Sequence, residues 1–281
     1  ELQAELKFQE GNAEEARNAI QKLIDTHKPE DAQKGWYLQE IGRYLYETKR
    51  VESNKYQLEA HKKNPYLLKP QTGMQVTTLQ PISQKRAEAI IDFVQSTGSY
   101  EQLAIAVGDI LSNLTFGVRA DKFEKAFDDL ARALGFLGER PDKAWKEGPD
   151  NLWALREGEY LLAECKSEVS LDRAEIHKDE SGQMIRASAW FAKYYKGVKV
   201  KRVLIIPTLK VGKAAAFADE VEVMRDKSLS KLRRNVKAFF GEFESLDFKS
   251  ISEKKVQDLL DVRSLGIDAI TSQYSEKVKV F

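Results

Sequence analysis

The chain has 281 residues, 42% of them hydrophobic and 32% charged, with 45 basic and 44 acidic side chains for a net charge of +1. That is too apolar for wholesale disorder and too evenly charged for an all-over polycation of the histone kind, though a local basic groove stays open. A single cysteine excludes an internal disulfide, and with only three histidines it argues against a structural zinc site.

The first 69 residues read as helices. Ala13–Ile24 carries apolar residues at 16, 20 and 24 and ends before Pro29. A second helix is expected over Asp31–Tyr46, with Trp36, Tyr37, Ile41, Tyr44 and Leu45 at three- and four-residue spacings, and a third over Val51–Lys62. Residues 71–83 hold few charges and follow Pro70; they are the expected linker. Ser83 is a candidate cap for a helix over 84–95, and another helix spans about Tyr100–Leu114. Asp121 opens the next, with Gly135 suited to a left-handed cap at its end. Three short apolar runs follow, Phe136–Glu139, Leu152–Arg156 and Tyr160–Lys166, then a helix from about Ser181 to Lys196. Val200–Pro207 is β-branched and bounded by Gly197 and Pro207, which predicts a buried strand. From about Val211 the pattern returns to helices, including Ser228–Phe240. Helix, three strands, helix and strand make a mixed α/β core.

The chemistry gathers at Pro149-Asp150 and Glu164-Cys165-Lys166. Alternation along a strand puts Glu164 and Lys166 on one face and Ala163 and Cys165 on the other, toward the core. A turn at Glu157-Gly158-Glu159 folds Asp150 back beside them. Two facing carboxylates raise each other's pKa unless a cation intervenes. Lys166 supplies part of that compensation, and Mg²⁺, which accepts one or two carboxylates with water and phosphate oxygens, would supply more. Acid-x-Lys triplets also occur at Glu5, Glu47, Asp247 and Glu253, but those lie in helical or polar contexts where a solvated face explains them.

This arrangement resembles the PD-(D/E)xK nucleases, the restriction-endonuclease-like superfamily, over about residues 115–210. The resemblance implies an α/β fold with a mixed sheet flanked by helices, here preceded by an all-helical region, and a Mg²⁺-dependent phosphodiesterase activity for which Mn²⁺ substitutes. It implies Asp150 and Glu164 as metal ligands, the Cys165 main-chain carbonyl as a third, and Lys166 as the catalytic lysine. It also implies an acid from the preceding helix, for which Glu124 is the candidate, and a catalytic glutamine from the following helix, for which Gln183 is. Each has a plainer alternative. Asp121 and Glu124 fit a capping box, Gln183 fits a surface position, and Glu168 fits a loop charge better than a ligand. Cys165 has no histidine partner in view and is a poor nucleophile, and His177 sits in a charged loop.

Two basic clusters are candidate phosphate contacts: Lys193, Lys196, Lys199, Lys201 and Arg202 after the motif, and Lys227, Lys231, Arg233, Arg234 and Lys237 on a later helix. Interspersed acids make a solubilising face an equal alternative for each. The front region has a similar character to the segment that follows the helicase core in some bacterial helicase–nuclease proteins, including ones linked to antiviral phage defence. The residues are Gly35-Trp36-Tyr37-Leu38-Gln39, Ala60-His61-Lys62-Lys63-Asn64 and Leu67-Leu68-Lys69-Pro70. No Gly-x-x-x-x-Gly-Lys-Ser/Thr loop accompanies them, so the motor would lie elsewhere in a parent chain. The opening Glu-Leu-Gln, without methionine, fits an excised piece.

The expected organisation is therefore a helical accessory region over 1–70, a linker over 71–83 and a nuclease-like domain over 84–281 with a helical C-terminal extension. The expected function is a cytoplasmic, metal-dependent DNA endonuclease, with RNA as substrate and a homodimer both left open. The rivals are a non-catalytic nucleic-acid-binding module and a protein-interaction domain docking through the Trp36, Tyr37 and Tyr44 helices.

Overall fold

The computed structural model describes residues 1–69, 78–80 and 85–279. The chain divides into two units, Glu1–Thr77 with Asp142–Glu147, and Thr78–Pro141 with Gly148–Phe281. Most of the expected linker, and the Ser83 cap, lie outside the described residues.

The first unit is helical: α1 (Leu2–Gln9), α2 (Ala13–His27), α3 (Asp31–Leu45) and α4 (Arg50–Lys63). The four-residue spacing of Ala16, Ile20 and Ile24 gives α2 one apolar stripe, which packs with Tyr37, Ile41, Tyr44 and Leu45 of α3 in one core. Gly42 of α3 lets α4 approach closely, since a Cβ there would stand 3.2 Å from the Ser53 carbonyl oxygen.

The second unit is mixed α/β. Its elements are α5 (Arg86–Thr97), α6 (Tyr100–Asn113), α7 (Ala120–Ala133), β1 (Leu137–Glu139), β2 (Asn151–Arg156), β3 (Glu159–Cys165), α9 (Lys178–Tyr194), β4 (Lys199–Ile205), β5 (Glu222–Met224), α10 (Asp226–Gly241), α11 (Glu253–Val262), α12 (Ile267–Gln273) and β6 (Glu276–Lys277); the short α8 (Pro141–Trp145), between β1 and β2, falls in the first unit from Asp142 on. The strands form one open sheet in the order β1-β2-β3-β4-β5-β6. β3–β4 and β4–β5 are parallel, and the other pairs are antiparallel. The reading of everything after Val211 as helical is corrected here: β5 and β6 complete the sheet. They are three and two residues long, too short to show a period.

Alternation sorts the sheet's two faces. Trp153, Leu155, Leu161, Ala163, Cys165, Val203 and Ile205 share one core with α5, α6, α7, α10 and α11. Leu152, Leu162 and Leu204 take the opposite parity and are buried. On that face Tyr160 meets Phe191 of α9 edge-on, at 5.6 Å between ring centroids. Among the described residues no helix is long and apolar enough to cross a membrane.

α7 ends on Gly135, at φ 73°, where a Cβ would stand 2.5 Å from the Arg86 carbonyl oxygen. Both the left-handed backbone and the contact demand glycine. Gly135→Ala is expected to cost about 1–3 kcal/mol, read as a lower urea midpoint at unchanged slope.

Candidate active site

Register builds the site. Strand pairing sets Asn151 opposite Ala163 and Leu152 opposite Leu162. Carried one step further, the same register sets Asp150 opposite Glu164, and residues directly opposite in an antiparallel pair share a face. Asp150 Oδ2 accepts the Cys165 main-chain N–H at 2.7 Å, which fixes the carboxylate across the end of β3. The Lys166 ammonium stands 3.8 Å from Asp150 Oδ2 and 3.7 Å from Glu164 Oε2. All three side chains are largely enclosed, at 15%, 5% and 18% exposure for Asp150, Glu164 and Lys166. The structure thus brings these three sequence candidates together on one side of the sheet.

Charge follows from that enclosure. Burial opposes the charge on Lys166, but Asp150 and Glu164 outweigh it, and the lysine is held above its ordinary pKa. Burial, then the charges of Asp150 and Glu124, push the Cys165 thiol well up. Its Sγ lies on the core side, 3.5 Å from Asn151 Oδ1, so only the main-chain atoms of Cys165 face the acids.

Glu124 comes near but is otherwise engaged. Asn151 Nδ2 donates to the Glu124 main-chain carbonyl at 2.9 Å, which hangs α7 beside Asp150. The Glu124 carboxylate is paired with Arg140, whose guanidinium also reaches Asp121 at 3.0 Å. The capping box expected at Asp121 and Glu124 is therefore corrected: α7 begins at Ala120, its cap position Arg119 makes no side-chain cap, and both acids serve Arg140. The cap comes from far away in sequence, as Glu168 Oε2 accepts the Ala120 N–H at 3.1 Å. Ser167, fully buried, donates to the Val118 carbonyl at 2.8 Å and accepts from the Gly117 N–H at 2.7 Å. Arg140 ties α7 to the end of β1, Asn151 ties it to the start of β2, and Ser167 and Glu168 tie its beginning to the end of β3; none of these ties shows in the pattern of acids and lysine along the chain.

Gln183 lies in the second turn of α9 with its Oε1 buried and without a hydrogen-bond partner. It shares a helix face with Ala187 and Trp190, and the Trp190 ring packs where a Cβ on Gly148 would stand, 2.8 Å away. His177 is exposed and serves as the capping residue of α9 in a box with Glu180.

The two basic clusters fare differently. Arg202 bonds Ser188 Oγ at 3.0 Å and Asp219 at 3.4 Å, and Lys201 pairs with Glu222 at 2.5 Å. Lys193 lies over the Tyr194 ring at 4.8 Å, and Lys196 is exposed. Arg233 donates to the Leu111 carbonyl at 3.0 Å, while Arg234 and Lys237 are exposed.

Among the described residues no group of three or more His, Cys, Asp or Glu side chains is placed to hold a metal ion. A hard cation that takes two carboxylates, a main-chain carbonyl and water needs no such group. Asp150 and Glu164 bring two carboxylates to one place, and the Cys165 main-chain N–H meets the first of them. Comparison with family models, curated proteins and solved structures finds no match to this chain.

Lys166 is what makes two opposed, enclosed carboxylates tolerable. Lys166→Met is expected to lower stability by about 2–4 kcal/mol in urea unfolding without divalent cations. Added Mg²⁺ should recover more stability in the variant than in the parent, because the ion then replaces the lost charge. An unchanged urea midpoint would mean that the acids do not confront each other.

Proposed function

We propose that the chain is a metal-dependent nuclease, hydrolysing phosphodiester bonds in DNA at Asp150, Glu164 and Lys166. The observation that carries the reading is the register that sets the two acids face to face with one ammonium between them, at the end of a central strand. The order α7-β1-β2-β3-α9-β4 around it, with β3 and β4 parallel, supports a restriction-endonuclease-like fold. The helical first unit supports an accessory role in a larger helicase-linked protein.

Asp150, Glu164 and the Cys165 carbonyl would hold Mg²⁺ or Mn²⁺, which when bound lowers the pKa of water and neutralises charge on the phosphate. Asp150 and Glu164 favour the charged form of Lys166, so it would enter as a donor and point charge. From its place between the acids its ammonium orients the attacking water or steadies a non-bridging phosphate oxygen as negative charge builds. Asp150 is held by the Cys165 N–H, so it arrives pre-aimed and loses little freedom on reaction. The buried Oε1 of Gln183 is a hard acceptor able to hold a water on the same face of α9.

A second reading draws on the closure of the cluster, with Lys166 between both acids and Glu124 on Arg140. In it the charges only lock β2 to β3 on a non-catalytic nucleic-acid-binding module. The two readings part on one experiment. Supercoiled plasmid and single-stranded circular DNA, incubated with the chain and Mg²⁺, should be cut. Asp150→Ala and Lys166→Ala should each slow cutting by about 10²-fold or more while still unfolding cooperatively. Variants that cut like the parent would remove the reading.

A further inference from the structure

α6 and α10 leave an open groove of about 820 Å³ between them. Its floor is small and apolar, set by Ala104, Val107 and Gly108 of α6. A Cβ on Gly108 would meet nothing within 4 Å, so the floor is open there. The α10 wall presents Lys227, Arg233, Arg234 and Lys237, and among the described residues no acid lines the groove. Tyr100, half-buried, lies along it as well, and Phe240 closes it from the core side, buried. Arg233 spans it to the Leu111 carbonyl, which satisfies the end of α6 and fixes the width.

The groove is joined to the candidate active site by the chain itself. Ser112 lines one end, five residues before Gly117, whose N–H donates to the Ser167 carbonyl beside Lys166. Those residues, even fully extended, keep that end within ~18 Å of Gly117, which is bonded to Ser167. On the opposite wall, β5 leads straight into α10.

We propose that this groove holds the backbone of single-stranded nucleic acid, the substrate class of the site described above, so that it rests on the nuclease reading. Cations along one wall with no acid opposite match a chain of phosphates. The half-buried Tyr100 ring offers an unpaired base a face to lie on, and the small residues below leave room for it. A groove bounded by two packed helices admits one strand, whereas a duplex would ride over its rim.

The test reads binding alone, by fluorescence anisotropy of a labelled oligothymidylate with EDTA present. Arg234→Glu with Lys237→Glu, both exposed, should weaken binding at least tenfold and reduce the salt slope by roughly 1.4, the share of two phosphate contacts on a single strand. Gly108→Leu, which fills the floor without changing charge, should weaken it too. Lys254→Glu with Lys255→Glu makes the same charge change on the exposed side of α11 and should leave affinity within twofold. Equal binding by the groove variant and the parent, equal loss in the α11 variant, or equal competition by a blunt duplex or by polyglutamate would each overturn the proposal. Because no metal is present, a parent that binds but never cuts DNA would refute the hydrolysis and leave the groove standing.

Discussion

The pairing of β2 with β3 is the constraint on which the site depends. Side chains alternate with a period of two, so a slip of one residue would turn Asp150 toward the face that carries Trp153 and Leu155. The core forbids that slip. Trp153 is almost fully buried, stacked on Phe127 at 4.3 Å and on Phe136 at 6.0 Å. Packing of one large aromatic therefore decides where two carboxylates meet. Opposed like charges are themselves unfavourable in a sheet, and the fold tolerates them because Cys165 N–H and Lys166 meet them at once. Apolar burial holds a charge arrangement that would not hold itself.

The second element of the site is hung on polar bonds. Asn151 reaches the Glu124 carbonyl, Ser167 bonds both Gly117 and Val118, and Glu168 caps Ala120. Each side chain is a neighbour of a charged site residue: Asn151 follows Asp150, and Ser167 and Glu168 follow Lys166. The residues that flank the charged set therefore hold α7 in place, and Arg140 keeps the acids of α7 from adding to the repulsion. A sixth of the Glu124 side chain and a seventh of Arg140 stay exposed, so this pair is deep enough to matter for geometry.

Much of this was legible in the chain. The helices over 13–63 and the strands around 152–165 and 200–205 announce themselves by period, and strand alternation alone places Glu164 with Lys166 and Cys165 against them. The losses have a common cause. Asp121 and Glu124 look like a capping box because local spacing permits one, but Arg140, beyond the end of the helix, offers a cation to both. Glu168 looks like a loop charge because its partner, the Ala120 N–H, is 48 residues away. β5 and β6 are held by neighbours, with no period of their own. What a residue bonds across the fold is not written in its local spacing.

The basic residues make the same point about function. Lys201 and Arg202 sit nearer the acids in sequence than Arg234 does, yet Glu222 and Asp219 take up their charge. The reason is topological: β4 is an inner strand, its flanks are other strands and their loops, and a cation there must find an acid or go unsolvated. α10 has an outer face, so Arg234 and Lys237 can stay hydrated and available while Leu232, Val236 and Phe239 anchor the opposite face in the core. Availability to a phosphate is set by which layer of the fold a cation occupies, and the helix that follows the fifth strand is where this chain can spare its charge.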